Sequence, residues 1–197
     1  MLIALQSLLP DRLTPGPWWL LPTIELLLIG VLVAADPARV KRDTKTLRMV
    51  ALGQITVISL GTVWSVAMLI RDIVTGYDTG DAAELLATGG GIYLMNVLTF
   101  AIWFWELDRG GPVARSHGTD PYPDFLFPPM TSPDLAAKDW EPRFGDYLYV
   151  AFTNATAFSP TDTLPMTRGA KAGMALESAV SLVTAALVVA KAVNALG

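Results

Sequence analysis

The sequence contains no cysteine and only one histidine. Without cysteine the chain cannot form a disulfide, use a thiolate nucleophile or bind a metal through a thiolate. The single histidine, His117, stands in a proline-rich stretch with no second histidine beside it, so we expect no metal site there. Phosphate-binding loops, nucleophile elbows, zinc-protease helices and dinucleotide fingerprints are also missing. The sequence therefore predicts a protein that is not an enzyme and carries no metal or cofactor.

Charged residues are scarce as well. They make up 16% of the 197 residues, hydrophobic residues make up 52%, and the mean hydropathy is +0.45, whereas a soluble domain is about one quarter charged. The charges gather in short stretches between long apolar runs, which a water-soluble core of this size cannot bury. The net charge of −4 gives no basic excess, so we expect no nucleic-acid partner. The expected partner is the lipid bilayer.

Four of these apolar runs are close to the length of about 20 residues that a membrane-spanning helix needs. They lie at about 18–35, 49–70, 88–105 and 170–196. None of them alternates polar and apolar residues as the strands of a membrane β-barrel do. The predicted fold is an all-α integral membrane protein, with about four transmembrane helices plus a short re-entrant or interfacial helix before the last. We expect one membrane domain over 1–197.

The loops between the first three spans differ in charge. The stretch 36–48 holds five basic residues against two acids, and the stretch 71–87 holds one basic residue against four acids. The positive-inside rule therefore places 36–48 in the cytoplasm and 71–87 outside, in a multi-pass protein of the cell membrane. The start of the chain, 1–9, lacks the basic region of a signal peptide, so we do not expect it to be cleaved.

The segment between the third and fourth spans has two parts. A loop at 107–143 contains seven prolines, which exclude a long regular helix. The segment 144–165 begins with an apolar, aromatic run of about 13 to 15 residues, too short to cross a bilayer, and ends in a polar turn. A short helix, a polar turn and a long helix follow the plan of a pore-loop unit. Non-helical backbone is tolerated at membrane depth where it lines water or protein.

The turn itself, TAFSPTDTLP from Thr156 to Pro165, resembles the Thr-Thr-Val-Gly-Tyr-Gly-Asp-x-x-Pro filter of two-helix tetrameric cation channels. Thr156, Asp162 and Pro165 match, whereas Ser159 and Thr161 replace the filter glycines. Those glycines let successive carbonyls face the ion, so we expect a degenerate pore loop that is not potassium-selective. The resemblance makes Thr156, Ser159, Thr161 and Asp162 the pore or polar-turn candidates. Such loops enter from outside, whereas the loop charges place this one on the cytoplasmic side.

The last third of the chain also resembles a family of uncharacterised bacterial integral membrane proteins, known as a domain of unknown function. The matching pieces are Asp124 to Pro128, Asp146 to Phe152, Ser159 to Asp162, Thr167-Arg168 and Val193 to Leu196. The resemblance implies a helical membrane fold and a bacterial cytoplasmic membrane as the location. It implies no established activity.

Polar side chains inside the predicted spans are costly and are therefore candidates for function. They are Glu25, Gln54, Asn96 and Glu177. One interpretation is an ion or proton path, and the other is hydrogen bonding between helices that fixes their packing. Asp162 also has two interpretations, because it could lie at a pore mouth or belong to an ordinary turn.

Two functions from different classes follow from these patterns. The first is a channel-like or transport-related membrane protein. We expect it to be a homo-oligomer, because a single hairpin of short helix and polar turn (144–165) cannot enclose a path alone. The alternative is a non-catalytic structural or accessory subunit of a larger membrane protein complex, in which the hairpin serves only for packing.

Overall fold

The structure is a computed structural model that describes residues 1–34, 45–77, 81–118, 120–138, 140–158 and 162–196. For 28–34, 45–47, 195 and 196 it describes the backbone and not the side chains. The described residues form two compact units. Unit 1 comprises those of Met1–Thr99 and Val180–Gly197, and unit 2 comprises those of Phe100–Ala179.

The structure is 77% helical with almost no sheet, which confirms the all-α class. The α-helices are α1 (Leu2–Ser7), α2 (Leu20–Ala34), α3 (Lys45–Thr75), α4 (Ala82–Leu107), α5 (Pro112–Ser116), α6 (Pro128–Thr131), α7 (Phe144–Ala157) and α8 (Arg168–Leu196). Short 3₁₀ turns occupy Asp11–Leu13, Asp108–Gly110 and Pro133–Leu135. Two short strands, β1 (Phe125–Leu126) and β2 (Leu164–Pro165), pair antiparallel, with Phe125 opposite Pro165.

Three of the helices are long and apolar enough to cross a membrane. The corresponding segments are Arg48–Thr75, Ala82–Gly110 and Arg168–Asn194, with 28, 29 and 27 residues. They contain or closely match the second, third and fourth predicted spans. Three apolar helices of this length fit a membrane protein.

The first predicted span is only partly represented, so four spans are not confirmed. The helix α2 covers 15 residues, from Leu20 to Ala34, which is less than the length of about 20 that a spanning helix needs. Ala35 and the basic loop up to Thr44 lie outside the described residues. The aromatic pair Trp18 and Trp19 precedes the helix and is about half exposed.

The amino-terminal segment is packed into unit 1, which the sequence did not predict. Leu9 and Leu13 are buried in an apolar core to which the long helices also contribute, and the hydroxyl of Ser65 in α3 donates to the carbonyl of Leu13 (2.9 Å). The other core residues are Val66 and Leu69 of α3, Leu85, Ile92 and Met95 of α4, and Val188 and Ala192 of α8.

An ion-pair cluster fixes the same segment to the neighbouring helix ends. Asp72 in α3 is almost fully buried, with Arg12 Nε 3.5 Å from one carboxylate oxygen and Arg71 Nη2 3.0 Å from the other. Arg12 Nη2 also lies 3.6 Å from Glu84 in α4. Two acids of the predicted outside loop are therefore paired with arginine, and their negative charge is partly offset.

Helices α4 and α8 approach closely in unit 1 at Gly89. A Cβ atom at this position would lie 2.6 Å and 2.7 Å from the two methyl carbons of Val188. The β-branched side chain of Val188 has one preferred rotamer in a helix, so it cannot easily move away. Gly90, the next residue, has no atom within 4 Å of the corresponding position.

We expect Gly89→Ala to lower the free energy of unfolding in detergent by about 1–3 kcal/mol, the usual cost of overpacking. Circular dichroism during thermal or denaturant unfolding measures the change. Gly90→Ala is the matched control and should be neutral or slightly stabilising, because alanine favours helix over glycine by about 1 kcal/mol. In a protein that already carries Val188→Ala, adding Gly89→Ala should lower the free energy of unfolding by less than it does in the original protein, because the methyl groups that it meets are gone. Equal stability of Gly89→Ala and Gly90→Ala would contradict the close contact between Gly89 and Val188.

Candidate functional site

The chain reverses direction after α4 through a glycine-rich turn in unit 2. Gly111 has φ +100° and Arg109 has φ +49°, so this stretch uses the left-handed backbone that glycine tolerates best. Pro112 begins α5 directly afterwards, at a helix position where its missing N–H costs nothing. The turn brings Arg115 back to the end of α4, where its Nη1 donates to the carbonyls of Trp105 (2.6 Å) and Asp108 (2.8 Å).

Asp108 lies at this turn and has no exposed surface. Its Oδ1 accepts hydrogen bonds from the backbone N–H groups of Asp124 (2.8 Å) and Phe125 (3.3 Å). Its Oδ2 accepts a hydrogen bond from the hydroxyl of Tyr147 (2.5 Å), and Arg109 Nε is 3.7 Å away. A buried carboxylate is tolerated only with such partners, so Asp108 holds the end of α4, strand β1 and helix α7 together.

Asp124 extends this network to the start of α8. Its Oδ2 accepts the N–H of Arg109 (2.9 Å), and its Oδ1 accepts the hydroxyl proton of Thr167 (2.6 Å). Thr167 in turn accepts the N–H of Ala170 and so caps the first turn of α8 (3.2 Å). The backbone of Asp124 also accepts the N–H of Met166 (2.7 Å). The starts of α7 and α8 are thus fixed at one end of unit 2.

Further along, α7 packs against α8 through a buried asparagine. Asn154 Nδ2 donates to the carbonyl of Met174 (2.9 Å) and to Oε2 of Glu177 (2.7 Å). The hydroxyl of Ser178 donates to Asn154 in return. Because both helices start at the Asp108 end and contact each other again here, they run in the same direction.

The described residues that follow α7 lie again near its start. The helix ends at Phe158, a left-handed C-cap with φ +55°. By Asp162 and Thr163 the chain lies beside Asp146 and Tyr149 in the first turns of α7, where these residues line one cavity. The short helix α7 therefore lies where the sequence predicts a short helix before the last span, and its re-entrant character stays a prediction.

The predicted polar-turn candidates are not all brought together. Thr156 is exposed near the end of α7, whereas Asp162 is exposed beside its start, and about 10–15 Å of helix separates these two levels. Ser159 and Thr161 lie outside the described residues, so their prediction stays a prediction.

The polar candidates within the long helices are each buried with a local partner, except Gln54, which is partly exposed. In unit 1, Glu25 accepts a hydrogen bond from Gln6 Nε2 (2.7 Å), and Asn96 Nδ2 donates to Ser181 (3.0 Å). In unit 2, Glu177 is fully buried with Asn154. Pairs of this kind fit the interhelical hydrogen bonds that stabilise membrane helices.

Several residues of these networks were missed in the sequence. The most important are Asp108, Tyr147, Asn154 and Gln6. An ionisable group at the end of an apolar run followed by Gly-Gly-Pro, as at Asp108, was the available signal for a buried turn. Nothing in the sequence connects Tyr147 to it, because 39 residues separate the two.

No group of three or more His, Cys, Asp or Glu that could hold a metal ion occurs among the described residues. In the comparisons with known proteins, no family model, curated protein or solved structure matches this chain. Its chemistry has to be inferred from its own residues.

Tyr147→Phe removes a donor from a buried carboxylate, so we expect it to lower the free energy of unfolding by about 1–3 kcal/mol. Chemical denaturation in detergent measures the loss. Tyr149→Phe is the control, because Tyr149 is 52% exposed and surface changes cost less than about 0.5 kcal/mol.

The pH dependence of stability identifies the same hydrogen bond. Burial, and next the hydrogen bond to Asp108, raise the pKa of Tyr147 above its ordinary value of 10.0. A raised pKa in the folded state means that stability is full below pH 10 and falls as the pH rises above it. Tyr147→Phe should show a smaller fall than the original protein above that pH, and an unchanged slope would contradict the role of the hydroxyl.

Proposed function

We propose that the chain is a channel-like or transport-related membrane protein that works as a homo-oligomer. In this proposal the first predicted span, 18–35, crosses the membrane together with the three long helices, and the protein resides in a bacterial cytoplasmic membrane. The hairpin from α7 to α8 is the element that approaches the conducting path.

The observation that carries the proposal is that Asp162 and Thr163, which follow α7 in the chain, lie beside the start of that helix. With 14 residues, α7 is about 21 Å long, shorter than the hydrocarbon core of about 30 Å. Backbone that returns from inside a bilayer without forming a helix must be covered by protein or line water. Pore loops use this arrangement to place polar groups along a path.

The exposed surface of α8 supports the presence of further copies. Five large apolar side chains on this helix are 43–62% exposed: Leu176, Leu182, Val183, Val189 and Val193. Such a surface requires lipid or another protein chain as its neighbour. A homo-oligomer would cover part of it and would arrange several hairpins around one axis.

The resemblance to two-helix tetrameric cation channels also supports the proposal, but it does not extend to the residues that make those channels potassium-selective. Asp162, which matches the acid after the channel filter, is exposed where a mouth would lie and could attract cations. Ser159 and Thr161 replace the filter glycines. We therefore propose a cation path without potassium selectivity.

A structural or accessory subunit is the second candidate. The buried glutamates, each hydrogen-bonded within the protein, favour it. Glu25 and Glu177 are each buried against an amide. A cavity beside Gln6 and Ser65 has a volume of about 10 Å³, which is room for about one water molecule. Side chains arranged in this way can serve to fix helix packing without conducting anything.

Flux in liposomes tests the first candidate. The purified full chain should pass monovalent cations into liposomes loaded with a cation-sensitive dye. Asp162→Asn should lower the flux by about tenfold at low ionic strength, because the charge concentrates cations at the mouth, and the difference should shrink in high salt. Asp134→Asn, an exposed loop acid in the Pro133–Leu135 turn, is the matched control and should leave the flux unchanged.

The second candidate predicts the opposite result. The protein would then show no flux above that of empty liposomes and would behave as a monomer in detergent. In native membranes it would migrate within a larger complex on a non-denaturing gel. Absence of flux from a stable homo-oligomer would reject the channel proposal.

A further inference from the structure

Unit 2 contains a cavity of about 230 Å³ at the start of α7, which we call the aromatic groove. It is defined by Phe127, Trp140, Asp146, Tyr149, Asp162 and Thr163, with two prolines completing its wall. We propose that the aromatic groove binds a small organic ammonium ion.

The walls of the groove are aromatic rings held in fixed positions. Phe127 is buried and forms tilted or edge contacts with Trp140 (5.8 Å between ring centroids) and Tyr147 (5.2 Å). Trp140 is only partly buried, and Tyr149 is 52% exposed, so both present accessible ring surface. Aromatic faces attract cations through the ring quadrupole, and tryptophan does so most strongly.

The charged side chains that line the groove are both acidic. Asp146 and Asp162 line it, and none of the described lining residues is lysine or arginine. Asp146 is held in place because its Oδ2 accepts the N–H of Arg143 (2.7 Å) at the start of α7. Two carboxylates beside accessible aromatic rings complement a positive ligand in charge and in surface type.

The lining chemistry favours an organic cation over a metal ion. A hard metal ion needs several oxygen ligands at short distance, and no group of three or more His, Cys, Asp or Glu that could hold a metal occurs among the described residues. An ammonium ion with alkyl groups loses little hydration on an aromatic face, and one carboxylate can balance its charge. The volume is below the range of about 300–1,000 Å³ typical of sites for drug-sized ligands, so a small ligand fits.

The ligand could be a free amine or the ammonium headgroup of a lipid, and both share this chemistry. Binding to the groove does not require that the protein conduct ions. A negative flux result would therefore leave this inference standing, and a negative binding result would leave the flux proposal standing.

Calorimetric titration of the full chain tests the inference. The protein is placed in lipid nanodiscs made only of phosphatidylglycerol and titrated with tetramethylammonium, with empty nanodiscs as the blank. We expect saturable binding, and we expect K⁺ at the same concentrations to show none.

Two groove variants test the site. Trp140→Leu should weaken tetramethylammonium binding by about tenfold, and Asp162→Asn by about threefold to tenfold. Asp134→Asn, outside the groove, should bind like the original protein. Circular dichroism of each variant verifies that it is folded, and Asp162→Asn keeps the test valid if Trp140→Leu does not fold.

Nanodiscs of phosphatidylcholine distinguish the two sources. If a lipid headgroup occupies the groove, tetramethylammonium will bind more weakly there than in phosphatidylglycerol, and if a free amine is the ligand, the two lipids will give equal affinity. The inference is overturned if no saturable binding occurs in phosphatidylglycerol, if K⁺ binds equally well, or if folded groove variants bind like the original protein.

Discussion

A carboxylate that is shielded from water must obtain its hydrogen bonds from the protein, and Asp108 obtains them from two distant parts of the chain. Backbone N–H groups at β1 and the hydroxyl of Tyr147 on α7 converge on it, with Arg109 close by. Removing any of these donors leaves charge that neither lipid nor a hydrophobic core can stabilise. Asp124 and Thr167 extend the constraint to α8, so the entry of the hairpin is fixed at one point.

The Asp108 network places the starts of α7 and α8 side by side. The two helices α7 and α8 start together and meet again where Asn154 donates to Met174 and Glu177. Asp162 and Thr163, between the two helices in sequence, lie beside the start of the shorter one. Asparagine suits this contact because one amide can donate to a backbone carbonyl and to a carboxylic group at once. An apolar residue here would leave Glu177 without that donor inside an apolar helix.

The parts of this fold that depend on composition were predictable, and the parts that depend on distant partners were not. The three long helices could be predicted from their apolar runs alone, because lipid accommodates such runs as helices and water does not. The short helix 144–157 follows from the length of its apolar run. The first span was predicted from the same signal, but α2 is described only to Ala34. Asp162 is exposed, and its position beside the start of α7 depends on the tertiary course of the chain.

The buried glutamates illustrate why sequence alone leaves function open. A glutamate inside an apolar run predicts a functional path and a packing contact equally well, because both require a polar partner. The structure supplies those partners as Gln6 for Glu25 and Asn154 for Glu177, neither of them an opposite charge. Polar groups that are accessible from outside, at the aromatic groove and at Thr156, are the ones able to meet an ion or ligand without rearrangement of the helices. The buried pairs hold helices together within each unit, Gln6 with Glu25 in unit 1 and Asn154 with Glu177 in unit 2.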